Sequence, residues 1–159
     1  MTTFSIEIIM QAGDEEVPED KVLSHFEKFP DDFEDYGEVE GPVTFHIGDI
    51  AIRSEDTLSY VLSTLALETM PGVVHDGQGD LVLYTSPVNF HFTSDGTTVT
   101  MSGNYLTDSY TFAQTDFVAQ CMDACRRFLT LSETIWPDAE DARAEIRALL
   151  AETEEELAG

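Results

Sequence analysis

Apolar and polar residues alternate at the start of the chain. Phe4, Ile6 and Ile8 point one way and Ser5, Glu7 and Ile9 the other, which predicts a strand over 4–10. From Thr44 to Arg53, Phe45 and Ile47 share a face up to Gly48-Asp49, and Ile50-Ala51-Ile52 follows; the stretch reads as a strand pair or one bent strand. Further on, Leu81 to Tyr84, Val88 to Thr93 and Thr97 to Gly103 read as three short strands. In the last two, Val88, Phe90, Phe92, Val99 and Met101 alternate with Asn89, His91, Thr98, Thr100 and Ser102. Asp95-Gly96 between them predicts a hairpin, and the alternation predicts one apolar and one polar sheet face.

Elsewhere the period lengthens to three and four residues. Leu58, Val61, Leu62, Leu65 and Thr69 form a stripe that predicts a helix. It would be capped by Ser54, with Glu55 and Asp56 favoured by the helix dipole, and stopped at Pro71-Gly72. Thr111 and Gln114 have capping-box spacing ahead of the widest stripe, which runs through Phe117, Val118, Cys121, Met122, Cys125, Phe128 and Leu129. After Trp136-Pro137, Asp138 is placed to cap a last helix over 138–157 with Ala142, Ile146, Leu149, Leu150 and Leu157 inward. Its acidic end, Glu152 to Glu156, opposes the dipole and favours fraying. Residues 11–41 carry many turn formers and acids and read as a long acidic loop region. It is interrupted by one short helix after Pro18, with Val22, Leu23, Phe26 and Phe29 inward. No internal repeat of twenty residues or more is present. The expected fold is a single α+β domain over 1–159: an antiparallel sheet of about five strands with helices packed on one face.

Charge changes the picture most. The 159 residues carry 32 Asp and Glu against seven Lys and Arg, a formal net charge of −25. Residues 1–40 hold 13 of the acids and two lysines, 41–110 hold eight acids and one arginine, and 111–159 hold 11 acids and four arginines. Direct nucleic-acid binding depends on cationic side chains displacing counterions from phosphates, so that class is excluded as an expectation, and so is docking on anionic membranes. No apolar run approaches the roughly 20 residues of a spanning helix, and residues 1–9 lack the basic start and long apolar core of a leader. A soluble cytoplasmic protein is the expectation.

Two physical reasons for such acidity compete. Hydrated carboxylates keep a protein soluble in molar salt, where a Debye length of about 3 Å screens self-repulsion; the scarcity of lysine, Lys21 and Lys28 only, suits a halophile. Alternatively, an acidic face complements a basic partner and speeds its capture.

Candidate chemistry is sparse. Cys121 and Cys125 lie four apart on one helix face. However, a structural zinc site needs about four Cys or His ligands, and no second close pair exists among His25, His46, His75 and His91, so both read as core residues. His46 and His91 fall on the polar phase of their strands and could form an acid-base pair only if the fold brought them together. His75 to Asp80 reads as a turn and lacks EF-hand spacing. No nucleophile elbow, phosphate loop or dinucleotide fingerprint occurs. No catalytic residue, metal or cofactor is assigned.

The most informative stretch is 30–40, where six carboxylates surround Phe33, Tyr36 and Val39. Asp31, Asp32, Glu34, Asp35, Glu38 and Glu40 supply a negative rim, and Phe33 and Tyr36 supply rings of the kind that anchor interfaces, unless they fold back to anchor the loop itself. These eight residues are the expected partner-binding set. The expected function is a non-enzymatic acidic protein-binding module of the immunity or antitoxin type, which occludes a basic partner such as a toxin or nucleic-acid-binding protein. The alternative is a salt-adapted structural or regulatory domain, with homo-oligomerisation open to either.

Overall fold

The computed structural model describes residues 2–159; Met1, the first of the residues read above for a leader, lies outside them. The order of elements is β1 (Phe4–Ala12), β2 (Glu15–Pro18), α1 (Val22–Lys28), β3 (Glu40–Ile47), β4 (Ile50–Thr57), α2 (Leu58–Thr64), α3 (Met70–Asp76), β5 (Gln78–Val82), β6 (Asn89–Ser94), β7 (Thr98–Gly103), β8 (Tyr110–Ala113), α4 (Gln114–Ile135) and α5 (Glu140–Ala158). The fold is α+β, and its strands form two antiparallel sheets of four, ordered β2-β1-β3-β4 and β5-β6-β7-β8. This corrects the single sheet of about five strands. β2 and β8 are only four residues long with one buried side chain each, Val17 and Phe112, too short for alternation to announce them. The helical stretch from Leu58 to Asp76 then separates β4 from β5.

The strand alternation buries Phe4, Ile6, Ile8 and Met10 from the first sheet, and Phe90, Phe92, Val99 and Met101 from the second. The two apolar faces meet through phenylalanines. Phe4 stacks on Phe112 with centroids 4.2 Å apart, Phe45 meets Phe90 edge-on at 5.6 Å, and Phe92 lies 5.0 Å from Phe117 of α4. Edge-to-face and offset rings are the preferred aromatic geometries and add to the burial free energy. Cys121 and Cys125 are free and buried in this core. Burial raises both thiols, Cys125 to about 12, so neither is an available thiolate at neutral pH.

β1 pairs with β3 over Phe4 to Ile8 and with β2 over Ile9 to Ala12, which leaves the outer edge of its first half without a strand. Helix α4 fills the gap. Gln120 Oε1 accepts the Ile6 N–H at 3.0 Å and Arg127 Nη2 donates to the Ile6 carbonyl at 2.8 Å, so side chains complete an edge that would otherwise be open. Arg127 also donates to Asp123 at 2.9 Å and holds its Nε 3.2 Å from Glu19, whose carboxyl is raised chiefly by burial.

Several boundaries differ from the sequence reading. Ser54 does not cap a helix; it is buried in β4, where its hydroxyl donates to the Val43 carbonyl at 2.8 Å, and the helix begins at Leu58. Asp56, two residues on, is also turned inward at 1% exposure. Its carboxylate accepts N–H bonds from Thr57 at 2.7 Å, Tyr84 at 2.6 Å and Thr85 at 3.2 Å, tying β4 to the segment between β5 and β6. Pro71 does not stop the helix. The backbone stays helical from Leu58 through Asp76, and a π-helical turn at Leu65–Thr69 stands immediately before the proline, a local change of hydrogen-bond pattern of the kind that accommodates a residue without an N–H. The stop comes at Gly77, whose φ of +78° suits glycine. The Thr111–Gln114 capping box is not formed; Gln114 starts α4, and its side-chain oxygen takes the Ser94 hydroxyl instead. The 11–41 region contains β2, α1, the start of β3 and two short 3₁₀ turns instead of one long loop.

Two helices also turn differently from expectation. Leu23 and Phe29 of the α1 region are exposed, as is Leu149 of α5. In α5 the inward positions include Arg143, 5% exposed, whose guanidinium donates to the carbonyls of Ser132 at 3.0 Å and Trp136 at 2.6 Å. These carbonyls close α4, so a buried cation satisfies the negative end of the longest helix.

Replacing Asp56 with Asn puts an amide donor against backbone donors, and the expected loss is about 1–3 kcal/mol of unfolding free energy by urea titration; an unchanged midpoint would show that the joint is dispensable. A second expectation concerns the β6–β7 turn. Asp95 Oδ1 accepts N–H bonds from Thr97 and Thr98, and these hold its carboxyl below the ordinary aspartate range. A depressed folded pKa means that this contribution is present above the unfolded value and lost as the pH falls through the folded one. In an NMR titration the Thr97 and Thr98 amide shifts therefore move later, at lower pH, than carboxyls of ordinary pKa titrate.

Candidate functional site

The acidic 30–40 stretch is held from several sides. The Asp32 carbonyl accepts the Gly13 N–H at 2.8 Å, from a tight turn where Gly13 has φ of +61°. The Asp32 carboxylate lies 3.0 Å from His25 Nε2. Phe33 packs edge-on against Phe26 at 5.5 Å and His25 at 5.7 Å. The indole N–H of Trp136 donates to the Glu34 carbonyl at 2.7 Å. Asp35 closes a turn by accepting the N–H groups of Glu38 at 2.8 Å and Val39 at 3.0 Å, and buried Val39 accepts the Leu58 N–H. Tyr36 lies tilted 5.8 Å from Phe128 and edge-on 5.9 Å from Trp136. Its hydroxyl is raised by burial first and by Cys125 second, while Arg143 pulls it down.

Phe33 and Tyr36 are thus half-buried and packed against the core, with part of each ring left on the surface. Together with Phe26 and Trp136 they line a groove of about 460 Å³ between this stretch and the corner that joins α4 to α5. Its charged lining residues are Glu34, Asp35 and Asp138, all carboxylates. Four of the eight expected residues, Phe33, Glu34, Asp35 and Tyr36, are therefore brought together. The others are not: Asp32 is turned to His25, Asp31 and Glu38 are exposed outside the groove, and Glu40 lines a separate cleft. Trp136 and Asp138 join from a hundred residues away. The sequence marked them only as a helix break and a cap, although a lone tryptophan beside Pro137 at the end of the core helix was the available signal.

The separate cleft is larger, about 660 Å³, between the end of β4 and residues 83–88. Two of its charged groups, Arg53 and Asp56, are already committed. Arg53 is bound by Glu16 and Glu55, both of which raise its pKa, and Asp56 is used by three backbone donors. His46 and His91 are not joined in one site. His46 pairs with Glu7 at 2.8 Å on the first sheet and His91 with Asp80 at 2.6 Å on the second, and the two pairs share no hydrogen-bonding partner among the described residues. His75 and Asp76 end α3, and Gln78 to Asp80 belong to β5. No described helix is long and apolar enough to cross a membrane.

Compared with protein-family models, with curated proteins and with solved structures, the chain matches none. The groove's own chemistry therefore carries the functional reading. Carboxylates around aromatic faces suit a cationic side chain, because the ring quadrupole and the carboxylate attract the same charge.

If the indole bond anchors the stretch, Trp136→Phe costs about 1 kcal/mol of local stability. Amide exchange of Glu38 and Val39 then accelerates while that of β1 does not; equal protection in both proteins would remove Trp136 as the anchor.

Proposed function

We propose that this protein is a non-enzymatic acidic binding module that inhibits a basic partner, a toxin or nucleic-acid-binding protein, by occluding its cationic surface. The observation that supports this reading is the groove of Glu34, Asp35 and Asp138 over Phe33, Tyr36 and Trp136, whose charged lining is wholly negative. The net charge of −25 would steer encounter over distances set by ionic strength, and contact in the groove would set residence time. Because the loop is tied to the core by Trp136 and His25, little ordering entropy is lost on docking. The rings act as a floor beneath the carboxylates, and the carboxylates make the contact.

The distribution of acids over all three thirds of the chain favours a second reading, a salt-adapted structural or regulatory domain whose acidity serves solubility. One pair of measurements separates them. A basic protein captured from the source cells should bind with an affinity that drops about tenfold or more between 50 and 500 mM salt. It should lose its inhibition with the triple variant Glu34→Gln, Asp35→Asn, Asp138→Asn. An affinity unchanged by the triple variant would overturn the inhibitor reading, and an unfolding midpoint that requires molar KCl would support salt adaptation.

A further inference from the structure

We infer that a second groove, beside Tyr84, takes an arginine side chain of the same partner, so that an extended basic segment is held at two points across Tyr36 and Gly37; this rests on the reading of the acidic groove. The second groove, about 430 Å³, is lined by Tyr36, Tyr60, Tyr84, Ile146 and Glu145 among others, and it shares Tyr36 and Gly37 with the first. The two therefore adjoin.

Tyr84 is 78% exposed, the most exposed of the large hydrophobic side chains among the described residues. Its face lies 4.2 Å from Tyr60 at an interplanar angle of 30°, and the Tyr60 hydroxyl donates to the Val82 carbonyl at 2.6 Å. Its own backbone N–H is held by Asp56 at 2.6 Å. The chain thus presents an aromatic plate stacked on a hydrogen-bonded neighbour, with its backbone held in place. Glu145 is the one charged residue of the lining. A guanidinium is flat and weakly hydrated, so it can stack on the plate while its edge reaches a carboxylate, whereas an ammonium is a compact, strongly hydrated point charge. That argues for arginine over lysine.

Gly37 is the saddle between the grooves. A Cβ built there meets nothing within 4 Å, and its backbone needs no left-handed conformation. A side chain at 37 would therefore stand in the path of a crossing segment without straining the fold.

The probe is a neutral Gly/Ser nonapeptide with arginine near each end, compared with versions carrying one arginine, two lysines or two citrullines, and followed by NMR of the Trp136 indole and Tyr84 ring. The two-arginine peptide should shift both rings and bind more tightly than the lysine and citrulline forms. Tyr84→Ala should weaken it about two- to fivefold, and Gly37→Leu should abolish its advantage over the one-arginine peptide. Shifts at Trp136 alone, or Tyr84→Ala and Gly37→Leu proteins that bind like the parent, would overturn this inference and leave the acidic groove standing. Citrulline binding equal to arginine would overturn it too. If the Glu34→Gln, Asp35→Asn, Asp138→Asn protein binds the two-arginine peptide as the parent does, or no peptide binds, the acidic groove itself fails, and the inference with it.

Discussion

Cohesion in this molecule comes from contact between two apolar sheet faces, because a chain of 32 acids against seven cations repels itself. Phe4, Phe45, Phe90, Phe92, Phe112 and Phe117 meet where the sheets and α4 converge, and all are buried. Fully burying such a ring contributes about 1.5–3 kcal/mol, and favourable ring–ring geometry adds to it. A surface of one sign is tolerable only around a core of this kind, since pairwise surface attraction is scarce. The ion pairs that do form are largely exposed and add little in water.

The few cations that reach the interior do structural work on the backbone. Arg127 completes the open edge of β1, and Arg143 closes the C-terminal end of α4. Asp56 does the converse with three backbone donors. Arg127 and Asp56 join elements distant in sequence, Arg143 joins two successive helices, and Arg143 and Asp56 bear on the grooves. Arg143 fixes the α4–α5 corner that presents Trp136 and Asp138, and Asp56 fixes the backbone beneath Tyr84. The geometry of the grooves is thus set by buried charge–backbone bonds, while their charge is set by exposed carboxylates.

The α+β class, the Asp95-Gly96 hairpin and the apolar faces of β1, β6, β7 and α4 were legible in the sequence, because each side-chain pattern ran long enough to reveal its period. Short elements were not. β2 and β8 have one buried position each, and one point has no period. Ser54 and Asp56 read as a helix start because their types suit a cap. Only the partners found across space, the Val43 carbonyl and the amides of residues 84 and 85, show why polar side chains face inward. Of the candidate site, the charge and the rings of 30–40 could be read directly, but not that Phe33 and Tyr36 lean on the core while Trp136 and Asp138 arrive from the far end of α4.

By itself the sequence determined composition-level properties and local periodicity: a strongly negative surface, one class of fold, and which faces of the longer elements are apolar. These depend on residues close together along the chain. The tertiary structure alone decided how many sheets form, which buried polar groups are satisfied, and which carboxylates share a groove. Those depend on pairings between residues tens to more than a hundred positions apart, such as Ile6 with Arg127 and Glu34 with Trp136, and no local pattern encodes their distance.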